Sequence, residues 1–240
     1  MTIEKKSILT PDGSKIFYEV SGSGFPLFLL HGNGGSSDYF KHQVPVFSQY
    51  FKVYTIDFRG HGKSTNTQKF FSFDLLSDDI YLITVKEKIH FLNILGFSDG
   101  ANAAMFFASK YPNKVNKLIL NAGNTSSEGL SFLIQLGIHA EYSFYSFLGL
   151  FSQKWKQYKE RTKLMLKDTG ITTEDLQHIS AKTLVIVGKQ DIIKLSHSLY
   201  IAEEIPDSSF VLVSGQGHLF AKKNPLLFNQ SILTFLLENR

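Results

Sequence analysis

"NILGFSDGANAAMFF", residues 93–107, runs from an unbroken apolar stretch through two glycines flanking Ser98 and Asp99 into a string of small helix-forming residues. The first part reads as a buried strand and the last as a helix, so the segment predicts a strand, a sharp turn and a helix in quick succession. At the turn, Gly96-Phe97-Ser98-Asp99-Gly100 fits the pattern Gly-x-Ser-x-Gly. The residue at the apex of so tight a turn is held in a strained backbone conformation. Gly96, Gly100 and Ala101 are small enough to let the chain fold back beside it. The Ser98 hydroxyl then stands at the carboxyl end of the strand, next to a helix N-terminus that favours negative charge.

The alternation extends in both directions. Residues 5–9 and 15–22, separated by "TPDGS", predict an antiparallel hairpin, and 26–32 and 51–60 read as buried strands with a helix over 36–50 between them. Leu75, Leu76, Ile80, Leu82 and Ile83 share one face of a predicted helix over 73–89, which feeds the strand 90–97. Pro112 stops the helix after Ser98 near Tyr111, and a strand over 114–123 follows. From about Asn124 to Ile179 the rhythm gives way to helices crowded with aromatics. It resumes with strands over 182–191 and 208–218, a helix around 195–204 and a closing helix from Pro225 to Glu238. This pattern predicts an α/β protein with a mostly parallel sheet flanked by helices. A core domain of residues 1–123 and 181–240, carrying a helical insertion at 124–180, accounts for the chain.

A serine hydroxyl is a weak nucleophile at neutral pH. It requires a histidine base, and the base requires a carboxylate to fix its tautomer and stabilise its cation. Of eight histidines, His218 follows a strand in the glycine-flanked loop "SGQGHLF", where a turn can aim its ring at Ser98. For the acid, "VIVGKQD" ends a strand at Asp191, giving the chain order Ser, Asp, His, whereas "NAGNTSS" after the strand ending at Leu120 holds no carboxylate.

Five motifs now stand in one order: "HGNGG" at 31–35, "DFRGHGKS" at 57–64, "GFSDG" at 96–100, "GKQD" at 188–191 and "GQGH" at 215–218. With them the chain resembles the α/β-hydrolase superfamily over nearly its whole length. The resemblance implies that residues 124–180, between the sixth and seventh strands, form a cap over the active site. It also implies an oxyanion hole made by the backbone N–H groups of Asn33 and Asp99, the latter at the start of a helix. The expected activity is that of a carboxylesterase-type serine hydrolase, working through Ser98, His218 and Asp191 and an acyl-enzyme on a small ester or acyl substrate. A thioesterase, a lactonase or a carbon-carbon bond hydrolase would use the same machinery, and a small-molecule receptor that keeps the fold without turnover is the alternative. The "SDG" form resembles the valacyclovir-hydrolase-like branch, where the acidic residue after the nucleophile receives the α-amino group of an amino-acid ester. By that resemblance the Asp99 side chain binds substrate; by the plainer reading it caps the helix or lies in solvent.

Composition excludes other classes. With 43% hydrophobic and 19% charged residues the chain is globular, and a net charge of +4 without an arginine-rich run gives nucleic-acid binding no support. The densest basic stretch, 154–167, reads as a solvated helix face. Zero cysteines removes disulfides, thiolate metal sites and a cysteine nucleophile, and His42, His90, His139, His178 and His197 lack a second ligand at suggestive spacing. No cofactor or metal is expected. No apolar run approaches the roughly 18–20 residues of a membrane span, and the start has no signal-like apolar region, so a soluble cytoplasmic protein is expected. Oligomeric state leaves no mark in the sequence. His31 and His61 read as loop-stabilising residues, and Asp57 with Arg59 as an internal ion pair. The aromatics of the insertion (Phe132, Tyr142, Phe144, Tyr145, Phe147, Phe151, Trp155 and Tyr158) are expected in part to face the cavity and select an apolar acyl or aromatic group.

Overall fold

The run Leu92–Phe97 is buried at all six positions because it lies in the middle of an eight-stranded sheet. In the computed structural model, which describes residues 2–238, the strands are β1 (Ile3–Leu9), β2 (Lys15–Ser21), β3 (Pro26–Leu30), β4 (Lys52–Ile56), β5 (Leu92–Phe97), β6 (Val115–Asn121), β7 (Lys182–Gln190) and β8 (Ser208–Gly217). Their spatial order is β1-β2-β4-β3-β5-β6-β7-β8. β1 and β2 form the predicted hairpin, β2 pairs antiparallel with β4, and the pairings from β4–β3 to β7–β8 are parallel. The helices are α1 (Val44–Phe47), α2 (Phe73–Lys86), α3 (Asp99–Lys110), α4 (Phe132–Leu148), α5 (Gln153–Leu166), α6 (Thr173–Gln177), α7 (Leu195–Glu204), α8 (Phe220–Lys223) and α9 (Pro225–Leu237). Met1, Asn239 and Arg240, assigned to the core domain from sequence, lie outside the described residues.

Side chains alternate across the strands and so build a core on each face. Phe28, Leu30, Ile94, Leu118 and Leu120 meet Leu76, Ile80 and Ile83 of α2, Ala104 and Phe107 of α3 and Ile201 of α7. Leu27, Leu29, Leu95, Ile119 and Ile186 meet Phe47, Phe220, Phe228, Ile232 and Phe235 on the other side. Each buried Leu, Ile or Phe among them contributes about 1.5–3 kcal/mol by leaving water. The small residues of α3 let that helix lie close on β5 and β6, which fixes the start of α3 at the carboxyl edge of the sheet.

Two local expectations are corrected. The helix expected over 36–50 is a 3-10 turn at Ser37–Phe40 followed by the short α1. Pro45 has no N–H and so begins a helix instead of continuing one, while Gln43 is buried and donates to the Ala221 carbonyl and Asn229 Oδ1. Asp57 and Arg59 do not pair. Asp57 accepts the backbone N–H groups of Ser37 and Lys63 at 2.7 and 2.8 Å, and Arg59 turns to Asp79 of α2, at 2.7 and 2.6 Å, and to Asp12 at 2.8 Å.

Between β6 and β7, α4 and α5 pack against each other across a short turn. α6, whose N-terminus carries a capping box between Thr172 and Asp175, packs on α3 instead.

Candidate active site

Ser98 sits where β5 meets α3 with φ +54° and ψ −122°, a conformation that side chains other than hydrogen rarely adopt. The neighbours must be glycine. A Cβ on Gly96 would lie 2.3 Å from the Gly100 carbonyl oxygen, and one on Gly100 would lie 2.1 Å from that of Leu30. The Ser98 N–H donates to the Asn121 carbonyl at 2.9 Å, so the β5–β6 ladder runs up to the turn and holds it.

His218 reaches Ser98 from the end of β8, and Asp191 reaches His218 from the end of β7. A register shift near Gly188 brings Gln190 opposite Gly217, so the two side chains emerge side by side. Asp191 Oδ1 lies 2.8 Å from His218 Nδ1, and His218 Nε2 lies 3.2 Å from Ser98 Oγ. A buried carboxylate accepts, so Nδ1 carries the proton, and Nε2 offers its lone pair to the Ser98 hydroxyl. The Ile193 N–H also donates to Asp191 Oδ1, at 3.0 Å, which fixes the carboxylate. Phe97 packs against the His218 ring, and Tyr39 stacks on Phe97 with centroids 4.3 Å apart. These two rings escaped sequence reasoning because nothing local marks which aromatics will meet.

Asn33 and Asp99 both lie beside the serine. The carbonyl of Gly32 accepts from His31 Nδ1 at 2.7 Å and from the Gly35 N–H at 3.1 Å. A planar trans peptide then turns the Asn33 N–H away from those groups. A Cβ on Gly32 would lie 2.9 Å from Ser98 Cβ, so this loop is seated directly on the serine. His31 Nε2 accepts from the Phe58 N–H at 3.1 Å, and burial pushes the ring down to about 4, so it stays neutral. At the start of α3, the N–H groups of Ala101 and Asn102 turn back to the Ser98 carbonyl, and the Asp99 N–H is left as one of the unspent donors of the helix end.

The Asp99 side chain is buried. Oδ2 accepts from Asn33 Nδ2 at 2.8 Å and Oδ1 from Asn102 Nδ2 at 3.3 Å, and burial raises its pKa to about 6. Asn33 Nδ2 also donates to the Arg161 carbonyl in α5, at 3.0 Å, and so links the insertion to the elbow. From the sequence Asn33 was expected to act through its N–H alone.

A small cavity of about 40 Å³ opens beside Ser98 and Asp99, walled by Leu130, Ile138, Leu164, Met165, Ile192 and Ile193. This corrects the expectation for the aromatics of the insertion. Tyr145, Trp155 and Tyr158 stack on one another between α4 and α5, and Phe132, Phe144, Phe147 and Phe151 face outward. A wider cleft of about 360 Å³ between α5 and the loop 66–71 does not include Ser98 or His218, whereas one of about 690 Å³ is lined by His218 with Gln190 and Gly217. Among the described residues no cluster of three or more His, Asp or Glu could hold a metal, and no helix is long and apolar enough to cross a membrane.

A family model described as alpha/beta hydrolase fold matches residues 26–142. The chain belongs to the α/β-hydrolase superfamily. It is similar to an uncharacterized hydrolase, YraK, of Bacillus subtilis, 31% identical over 50% of this chain and 44% of that protein, so that less than half of the Bacillus protein is matched. A putative carbamate hydrolase, RutD, of Caulobacter sp. strain K31 is 25% identical over 95% of this chain and 97% of its own length. A solved meta-cleavage product hydrolase from Pseudomonas fluorescens superposes with a TM-score of 0.82 over 98% of both chains at 22% identity.

Proposed function

We propose that the protein is a serine hydrolase that cleaves a carboxylic ester or a related small acyl compound. The observation that carries this reading is the unbroken relay from Asp191 through His218 to Ser98, at 2.8 and 3.2 Å, ending on a strained serine. Ser98 Oγ attacks the acyl carbon while His218 Nε2 takes its proton, and Asp191 stabilises the resulting imidazolium. The Asn33 and Asp99 N–H groups receive the oxyanion, each contributing roughly 3–4 kcal/mol in the transition state. His218 then protonates the leaving alcohol, and water, activated by the same ring, releases the acid and restores Ser98. The α4–α5 hairpin and the segments flanking it, within 124–180, act as the cap that closes this site. A cavity of about 40 Å³ suits a short aliphatic acyl group.

The buried Asp99 carboxylate favours a second reading of the substrate, an acyl group carrying an α-amino group, since no cation pairs with it among the described residues and it lines the cavity. One substrate panel tests both readings. Short-chain p-nitrophenyl esters should turn over steadily, with kcat reduced by about 10⁴ or more in Ser98→Ala. An aminoacyl ester should be preferred over its des-amino analogue in the wild type and not in Asp99→Asn. Wild-type protein inert to esters, thioesters and lactones alike would overturn the enzyme reading and leave a binding protein. Equal rates for the amino and des-amino esters would remove the role of Asp99 and leave the hydrolase intact.

A further inference from the structure

Helix α4 is apolar on two sides, and the fold covers one of them. Ile134 and Ile138, four residues apart, turn inward to join Leu130, Val187 and Ile193. Leu133, Leu136, Ala140, Phe144, Phe147 and Phe151 recur at three- and four-residue spacing along another side of the helix and the turn that ends it, and all are exposed. With Phe132 and Leu150, seven large apolar side chains of this segment are 57–76% exposed. At roughly 100 Å² each they present on the order of 700 Å² of apolar surface, more than the 300–600 Å² of the largest patch on a typical soluble monomer. A helix facing water carries charge on its outer side, whereas Glu141 is the one acid of α4 and lysine and arginine are absent from it.

What surrounds the patch identifies its occupant. The exposed turn Phe147–Phe151 runs directly into "SQKWK", where Lys154 and Lys156 are exposed, and Lys156, Lys159 and Lys163 follow one another along one side of α5. From 131 to 168 the sequence has six lysines and arginines against three carboxylates. In a two-fold dimer the same patch meets itself, so both copies would bring the same net positive charge to the contact. A surface with an apolar interior and negative charge above it complements both features.

We infer that the outer face of the α4–α5 hairpin, led by Phe147, Leu150 and Phe151 and flanked by Lys154 and Lys156, docks on an anionic lipid bilayer. The aromatic and leucine side chains enter the boundary between headgroups and acyl chains, and the lysines bind the headgroup charge. Ile138, on the covered side of α4, lines the cavity beside Ser98, so docking holds that cavity about one helix diameter, roughly 10 Å, from the lipid.

Sedimentation of the full chain with vesicles tests this. Binding to vesicles of phosphatidylcholine and phosphatidylglycerol in equal parts should exceed binding to phosphatidylcholine alone by about tenfold or more, and should weaken as salt is raised. Replacing Phe147, Leu150 and Phe151 together by serine should reduce binding by about tenfold or more, and Lys154→Gln or Lys156→Gln by about fivefold each. Circular dichroism and the rate on a soluble ester should be unchanged in these variants, which separates lost docking from lost folding. Three results would overturn the inference: no association with anionic vesicles at low salt, association that survives the triple substitution, or a wild-type dimer in ultracentrifugation that the triple substitution converts to monomer. The last would assign the face to a second copy of the chain.

Discussion

At Asp99 the backbone and the side chain are set by different parts of the fold. The N–H is fixed by the helix start, so its direction follows from the Gly-x-Ser-x-Gly pattern, and the same holds for the elbow that carries Ser98. The carboxylate is different. Its burial, and its bond to Asn33 Nδ2, depend on a residue 66 positions away and on a rotamer, neither of which leaves a local trace. The burial has a measurable consequence. Folded Asp99 holds its proton up to about 6, against 3.8 for an unperturbed aspartate. Between these values the folded chain keeps a proton that the unfolded chain has released, so stability falls as pH rises through this window and the loss is complete above it. The total is about 3 kcal/mol. Asp99→Asn has no such proton. Urea unfolding from pH 4 to pH 7 should therefore show the wild type losing stability relative to the variant by about that amount, whereas a difference that does not change with pH would contradict the burial of an ionising carboxylate.

The elements around the site were legible through two different signals. β3, β5 and β6, covered on both faces, show as short unbroken apolar runs, and α2, covered on one, shows as an apolar stripe. The α4–α5 hairpin was not legible in the same way. Periodicity shows that α4 has two apolar sides and does not say which will be covered, so aliphatic Ile138 and Leu164 wall the cavity where aromatics were expected. Arg161 supplies two polar bonds that tie the hairpin to the core. Its carbonyl accepts from Asn33 and its Nη1 donates to the Gly60 carbonyl at 3.4 Å, while within α5 its guanidinium stacks 4.0 Å from the Tyr158 ring. Arg161→Met keeps the apolar stem and removes the donor and the stacked cation. Amide exchange along α5 should accelerate by about tenfold while β3 and β5 are unaffected, since local opening of the hairpin does not require the sheet to open. Unchanged exchange in α5 would show that apolar packing alone holds it.

At the scale of the whole molecule, the site exists only because the sheet order brings distant strand ends together. Ser98, Asp191 and His218 follow β5, β7 and β8, and the 120 positions that separate Ser98 from His218 span the entire insertion. The chain order Ser, Asp, His could be read from the sequence because each residue follows its own predicted strand. The partner of Arg59 could not, because the pairing with Asp79 is made across the loop–helix contact and no spacing rule reaches it. The most direct measurement is therefore covalent labelling. A fluorophosphonate should attach once per chain, on the peptide containing Ser98, and the label should disappear in His218→Ala and in urea-unfolded protein, because the hydroxyl is nucleophilic only when the assembled fold supplies its base. Absence of label on the folded wild type, or a label on Ser98 that persists at the same rate in His218→Ala, would contradict an activated serine at this turn.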